Sequence, residues 1–196
     1  MAKWILSFLF ILQSVWSVNF QDQTQNVYSF EWDHREDFKN AQEVFMRSFL
    51  FTYEPISLKQ LGVINKEAFL KGAIEEEYTL VSENDHIHWL IAKMKNKVVG
   101  LMIVELKEYP HLVYVRQTAI HPDFMRKHIG TKMAQVMFSN LPEAKKFVAI
   151  TRIFNKTSMD FFESLGFKKC EYMHEGYDPN RYVGFEFIRD DVSTKR

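Results

Sequence analysis

The sequence predicts a single α/β domain with a mixed central sheet of about six to seven strands and about four helices. Three observations predict it. The chain has 196 residues, a length that suits one core of the usual ~100–200 residues. Hydrophobic residues make up 46% of it and include 18 phenylalanines, enough to pack that core and to exclude global disorder. Along the chain, segments of period two alternate with segments of helical period, the pattern of a sheet carrying helices.

Taken in order, Val27-Tyr-Ser-Phe-Glu-Trp32 alternates as a first strand. Asp33 is placed to cap the next helix, with Glu36 as its capping-box partner. Phe38, Ala41, Val44, Phe45 and Phe49 then recur at helical spacing until Pro55 ends the run. A second helix is expected from about Asn65 to Glu77. Residues 88–94, the turn Lys95-Asn-Lys97 and residues 98–106 read as a hairpin. Leu112–Ile120 is a third long strand, followed by a helix from about Arg126 to Ser139 and a strand over Phe147–Ile153. A short helix, Ser158 to Leu165, stops at Gly166, which suits a left-handed helix end. Two last strands, about 167–174 and 181–188, flank the turn Tyr177-Asp-Pro-Asn180.

The N-terminus differs in character. Lys3 precedes the apolar run Trp4–Leu12, and Val15 and Ser17 sit at the −3 and −1 positions of a cleavage point before Val18. Positive start, short apolar stretch and small residue are the layout of a secretory signal peptide over residues 1–17. The run is shorter than the ~20 apolar residues that cross a bilayer, so no integral span is expected after processing. Residues 18–26 read as a polar linker, 27–190 as the domain and 191–196 as a tail. Secretion is the expectation this segment creates; without cleavage the protein is expected in the cytoplasm.

Composition excludes further classes. Twenty-five basic residues balance 25 acidic ones, so no bulk field draws in nucleic acid, and none is expected as a partner. One cysteine, Cys170, can form neither an internal disulfide nor a thiolate zinc site. His86 and His88 share a strand face but have no carboxylate or thiolate constellation beside them, so no metal is expected.

Two stretches carry chemistry. The first, Ile120-His-Pro-Asp-Phe-Met-Arg-Lys-His-Ile-Gly130, runs from a strand end through a turn into a helix. Such a turn leaves backbone N–H groups unpaired at the positive end of the helix dipole, which suits a pyrophosphate. Arg126 and Lys127 add charge. The second is Asn155-Lys-Thr-Ser-Met-Asp-Phe-Phe-Glu-Ser-Leu-Gly-Phe167. Together, in this order and at this separation, they resemble the two signature motifs of the GNAT N-acetyltransferases over about residues 27–190.

That resemblance implies a single GNAT-like domain using acetyl-CoA as cosubstrate to acetylate a primary amine directly. Cofactor contacts would come from Thr118 and Ile120 on the strand, from Arg126, Lys127, His128, Ile129, Gly130 and Thr131 around the turn, and from Asn155 and Phe162 in the second motif. Main-chain N–H groups at Thr118 and Ile120 would polarise the thioester carbonyl, giving Thr118 a catalytic role as well. Three positions depart from the family pattern. Met125 stands where Arg or Gln is usual, and His128 replaces a glycine. Phe162 takes the place of the tyrosine that often serves as general acid. Tyr172 is the substitute acid, with an ordinary strand aromatic as the plainer reading; Glu105 is the candidate base, with a solvent-facing strand residue as its alternative. His121 stands behind Glu105 as a base and otherwise serves the turn before Pro122. The run Glu75-Glu-Glu77 reads as a solvated helix end, since short charge runs favour the surface, with an acceptor border as the second reading. The three departures keep a second class open, a GNAT-fold acyl-CoA-binding or protein-interaction module with weak or no catalysis. The identity of the amine is unmarked, and a homodimer is open because the family's domains often pair.

Overall fold

The computed structural model describes residues 18–22, 26–33 and 35–189. The expected signal segment and C-terminal tail lie outside these residues. Eight strands form one sheet: β1 (Val18–Gln21), β2 (Val27–Trp32), β3 (Ile87–Met94), β4 (Lys97–Glu108), β5 (Leu112–Ile120), β6 (Lys146–Arg152), β7 (Lys168–Cys170) and β8 (Tyr182–Ile188). Helices are α1 (Phe38–Tyr53), the single turn α2 (Leu58–Leu61), α3 (Lys66–Glu83), α4 (Ile129–Asn140) and α5 (Lys156–Ser164). Spatial order is β1-β2-β3-β4-β5-β6-β8-β7. Every neighbouring pair is antiparallel except β5–β6. Among the described residues, no helix is long and apolar enough to cross a membrane.

Alternation along the central strands explains the two cores. Trp89, Ile91, Leu101 and Ile103 face α1 and α3, whereas Leu90, Ala92, Met102 and Val104 face α4. Both faces of β3 and β4 are therefore covered, and their sequences read as nearly continuous apolar runs. Gly100 lets α4 approach the sheet: a Cβ there would lie 2.9 Å from both Ile120 Cδ1 and Met133 Sδ.

The structure departs from the sequence reading at several elements. One strand more than expected arises because residues 18–21, read as linker, pair with β2, with Val18 and Phe20 packed on the core. Asp33 does not cap α1. It adopts φ 56° and its carboxylate crosses to β3, accepting from Trp89 N at 3.1 Å and bonding His88 Nδ1 at 2.8 Å. That bond also gives His88 a partner. α3 runs six residues past Glu77 because Val81 continues its buried stripe. α4 begins at Ile129 and not Arg126, because Arg126 and His128 both take left-handed φ, 61° and 59°. β7 is three residues long, since the chain after Cys170 leaves the sheet.

The feature that positions the site is a parting of strands. β5 and β6 pair only at Val113–Phe147, Tyr114–Val148 and Val115–Ala149. Beyond Val115, β5 continues to Ile120 beside β4 alone, and β6 continues to Arg152 beside β8 alone. A bulge in the β4–β5 ladder, where Val104 opposes Val115 and Ile103 opposes Gln117, leaves Arg116 unmatched at the point of divergence.

Candidate active site

Register decides which backbone groups face the opening. His121 N donates to Val99 O at 2.9 Å, so His121 and Val99 form a hydrogen-bonded pair. In an antiparallel ladder such pairs alternate with non-bonded ones. Ala119–Leu101 and Gln117–Ile103 are then bonded pairs, while Ile120–Gly100 and Thr118–Met102 are not. The N–H and C=O groups of Thr118 and Ile120 therefore point away from β4, toward the space β6 has vacated. The Thr118 hydroxyl is buried there with no hydrogen-bond partner.

Next to this edge lies the start of α4. Lys132 N makes the first helical bond, donating to His128 O at 2.9 Å, so the N–H groups of Ile129, Gly130 and Thr131 precede the hydrogen-bonded ladder. The turn reaches this geometry without the usual glycine. Histidine is one of the few side chains enriched in the left-handed region, although a Cβ there still carries strain. Gly130 lies against α5: a Cβ on it would come within 3.1 Å of the Phe161 ring.

Strand edge and helix start open onto one cavity of about 630 Å³. Thr118, Ile120, Arg126, His128, Ile129, Gly130, Thr131, Asn155 and Phe162 all line it. Lys127 does not; its ammonium lies 5.1 Å from the Phe124 ring centroid. Asn155 accepts from Ser158 N at 3.1 Å as the N-cap of α5. Phe162 is buried against Phe161, Phe167 and Phe185.

The candidate acid and base sit elsewhere. Glu105 is outside the cavity lining, its Oε2 accepting from Arg116 Nη1 at 2.8 Å. Tyr172 is outside it too, with its hydroxyl buried and unpartnered and its pKa raised by that burial. His121 is 3% exposed and accepts from Asp123 N through Nδ1, which ties it to the turn before Pro122. Burial also lowers its pKa.

Other residues take the places the sequence left open. Glu75 and Glu76 are exposed, though within α3 and not at its end; Glu76 and Glu77 both line the cavity, and Glu77 is only 6% exposed. It accepts from Arg116 Nε at 2.8 Å and from Gln117 Nε2 at 3.1 Å. Burial alone would lower the Arg116 pKa; hydrogen bonds and charge from Glu77 and Glu105 more than offset it, so the value is raised. A signal for Glu77 did exist: with Leu70, Ile74 and Val81 it completes the inward stripe of α3. A carboxylate on such a stripe needs a buried partner. Tyr177, from the loop between β7 and β8, also lines the cavity near Tyr114, and burial raises its pKa. Among the described residues, no three His, Cys, Asp or Glu side chains gather as a metal-binding group.

Comparison with known proteins places this arrangement. The family model described as acetyltransferase (GNAT) matches residues 30–167. PaiA N-acetyltransferase from Thermoplasma acidophilum, solved in complex with coenzyme A, is similar at a TM-score of 0.66 and 17% identity, over 82% of this chain and 99% of that one. The ribosomal-protein-S18-alanine N-acetyltransferase from Escherichia coli is similar at 0.61 and 12% identity, over 86% and 98%. Among curated proteins, UPF0157 protein YqkA from Bacillus subtilis is 21% identical over 136 residues. That match covers 69% of this chain, and the chain spans only 38% of the relative's length.

Proposed function

The chain belongs to the acetyltransferase (GNAT) family, and from that premise we propose that it transfers an acetyl group from acetyl-CoA directly to a primary amine. One observation carries this reading. The outward-facing backbone of Thr118 and Ile120 lies beside the unpaired N–H groups that open α4, and both border the same cavity. An extended amide-bearing chain can add to a free strand edge through main-chain hydrogen bonds. A pyrophosphate suits the helix start, where Arg126 supplies charge. Acetyl-CoA has both parts, and when bound it supplies the thioester whose acyl group an amine can take.

The protein's own contribution is then positional and electrostatic. The Thr118 N–H stabilises negative charge developing on the reacting carbonyl oxygen. Phe161 and Phe162 add apolar wall to the cavity, Phe161 beside Gly130. Proton transfer has no obvious owner, because Phe162 has none to give and Glu77 and Glu105 are both held by Arg116. Tyr177 is the cavity hydroxyl assigned to donate; like any tyrosine it is protonated at neutral pH, and the burial that raises its pKa makes it a weaker acid than a free one.

The engagement of both carboxylates favours a second reading, an acyl-CoA-binding module with little turnover. Calorimetry with acetyl-CoA followed by thiol release over an amine panel separates the two. Binding with turnover supports the enzyme, binding without turnover the module, and no heat of binding removes both. Arg126→Gln is expected to weaken acetyl-CoA about tenfold, as loss of a charge-assisted contact does, with Lys127→Gln nearly silent.

A further inference from the structure

Arg152 ends β6 as a buried cation with no carboxylate counterion among the described residues. Its residue exposure is 7%. The groups it touches are neutral. Nη1 donates to Leu61 O at 3.1 Å, and the Tyr53 side chain lies close enough for the guanidinium to act on its hydroxyl. The guanidinium carbon lies 5.0 Å from the Tyr182 ring centroid, 5.5 Å from Phe69 and 5.8 Å from Phe154. Arg116, by contrast, holds two carboxylates. Ring faces and one carbonyl stabilise a cation in part, but a desolvated guanidinium is best matched by a planar carboxylate accepting two parallel N–H bonds. Arg152, Tyr53, Phe69 and Tyr182 all line the cavity that holds Thr118. The counterion can therefore come from a bound molecule.

The length of that molecule follows from α3. Phe69, under Arg152, and Glu77, bonded to Arg116 and Gln117, lie eight residues apart on the helix, about 12 Å at 1.5 Å per residue. Glu77 marks the end of the cavity next to Thr118, where the acyl-transfer reading places the reacting amine. A tripeptide extends ~10 Å at 3.3–3.6 Å per residue. We infer that Arg152 binds the carboxylate of the amine acceptor, and that this acceptor is of the short-peptide class, with amine and carboxylate about a tripeptide apart. The inference rests on the acyl-transfer reading for the direction of the amine, and on the geometry of Arg152 alone for the carboxylate.

Triglycine and triglycine amide differ only in the charge that Arg152 would read. Binding of each to the native protein, by calorimetry with and without coenzyme A, is expected to favour the acid at least tenfold, and turnover to show the same ratio in KM. Arg152→Gln removes that preference while leaving the amide and acetyl-CoA bound as before, and Arg152→Lys restores part of it. Equal binding of acid and amide by the native protein overturns the inference. So does loss of acetyl-CoA affinity in Arg152→Gln, which assigns the guanidinium to coenzyme phosphates. A variant with a lower Tm and an unchanged acid-to-amide ratio makes Arg152 a structural clamp and overturns it as well. Failure of the acyl-transfer reading looks different: the protein discriminates acid from amide yet binds no acetyl-CoA.

Discussion

Arg116 joins α3 to β5 by donating from Nε to Glu77 Oε2 at 2.8 Å, 39 residues away in sequence, while its Nη1 bonds Glu105 at 2.8 Å. It does so from the unmatched bulge position where β5 leaves β6. The ion-pair network therefore stands at the strand divergence and fixes the helix that forms one cavity wall.

Removing one partner should be worse than removing both. Glu77→Ala leaves a half-buried guanidinium with one carboxylate and the Gln117 amide with none, and is expected to cost about 3 kcal/mol. The double variant Glu77→Ala/Arg116→Met is expected to cost less than Glu77→Ala alone. Urea unfolding of the variants decides this. A double variant less stable than Glu77→Ala would show that the pair itself supplies net stability.

Phe162→Tyr restores a hydroxyl at the wall of the cavity. Thiol-release kcat is expected to rise about tenfold with KM for acetyl-CoA unchanged, short of the ~10²–10⁴-fold of a fully used acid because a thiolate leaves well unaided. A kcat that stays flat, in a variant that folds normally, would place proton transfer elsewhere.

Two glycines should respond oppositely to alanine. A Cβ on Gly184 would sit 2.2 Å from Tyr172 O and 3.0 Å from Cys170 O. Backbone cannot yield there as a side chain does, so Gly184→Ala is expected to destabilise by about 3 kcal/mol or more. Gly72, on α3, has open space around a Cβ, and Gly72→Ala is expected to stabilise by about 0.5–1 kcal/mol. Thermal melts of the pair test both signs.

Stability should fall as pH drops below about 6.5 through His121. Its ordinary pKa is 6.5, and burial lowers it in the folded protein. The unfolded chain then takes up the proton first, so the stabilising contribution is complete above 6.5 and is lost progressively below it. His121→Asn keeps an acceptor for Asp123 N but does not titrate. The Tm advantage of the native protein over this variant should shrink between pH 7.5 and 5.5, and a constant difference would refute the assignment.

How much of this was readable beforehand depends on sequence distance. The strand–turn–helix around Gly130 is a local arrangement, and the residues expected along it, Lys127 apart, do border one cavity. Central strands were readable because both of their faces are buried. β1 was not, since Val-Asn-Phe-Gln is four residues long and its two apolar side chains matter only once β2 is beside it. Asp33 misled for a similar reason: its local role as a cap lost to His88 and Trp89, 55 and 56 residues on. The pairing of Glu105 with Arg116 required the bulge, and the contact of Arg152 with Leu61 spans 91 residues. No local pattern announces a partner at that range.

The margins of the sheet bear on how two copies could meet. Among the described residues, one outermost strand has four residues and the other three. The latter carries Lys168 and Lys169, both exposed, along its short length. That short, lysine-bearing border gives an incoming strand little backbone to pair with, and brings like charges together when the newcomer is the same edge of a second copy. Self-association by continuing the sheet outward from β7 is thereby disfavoured.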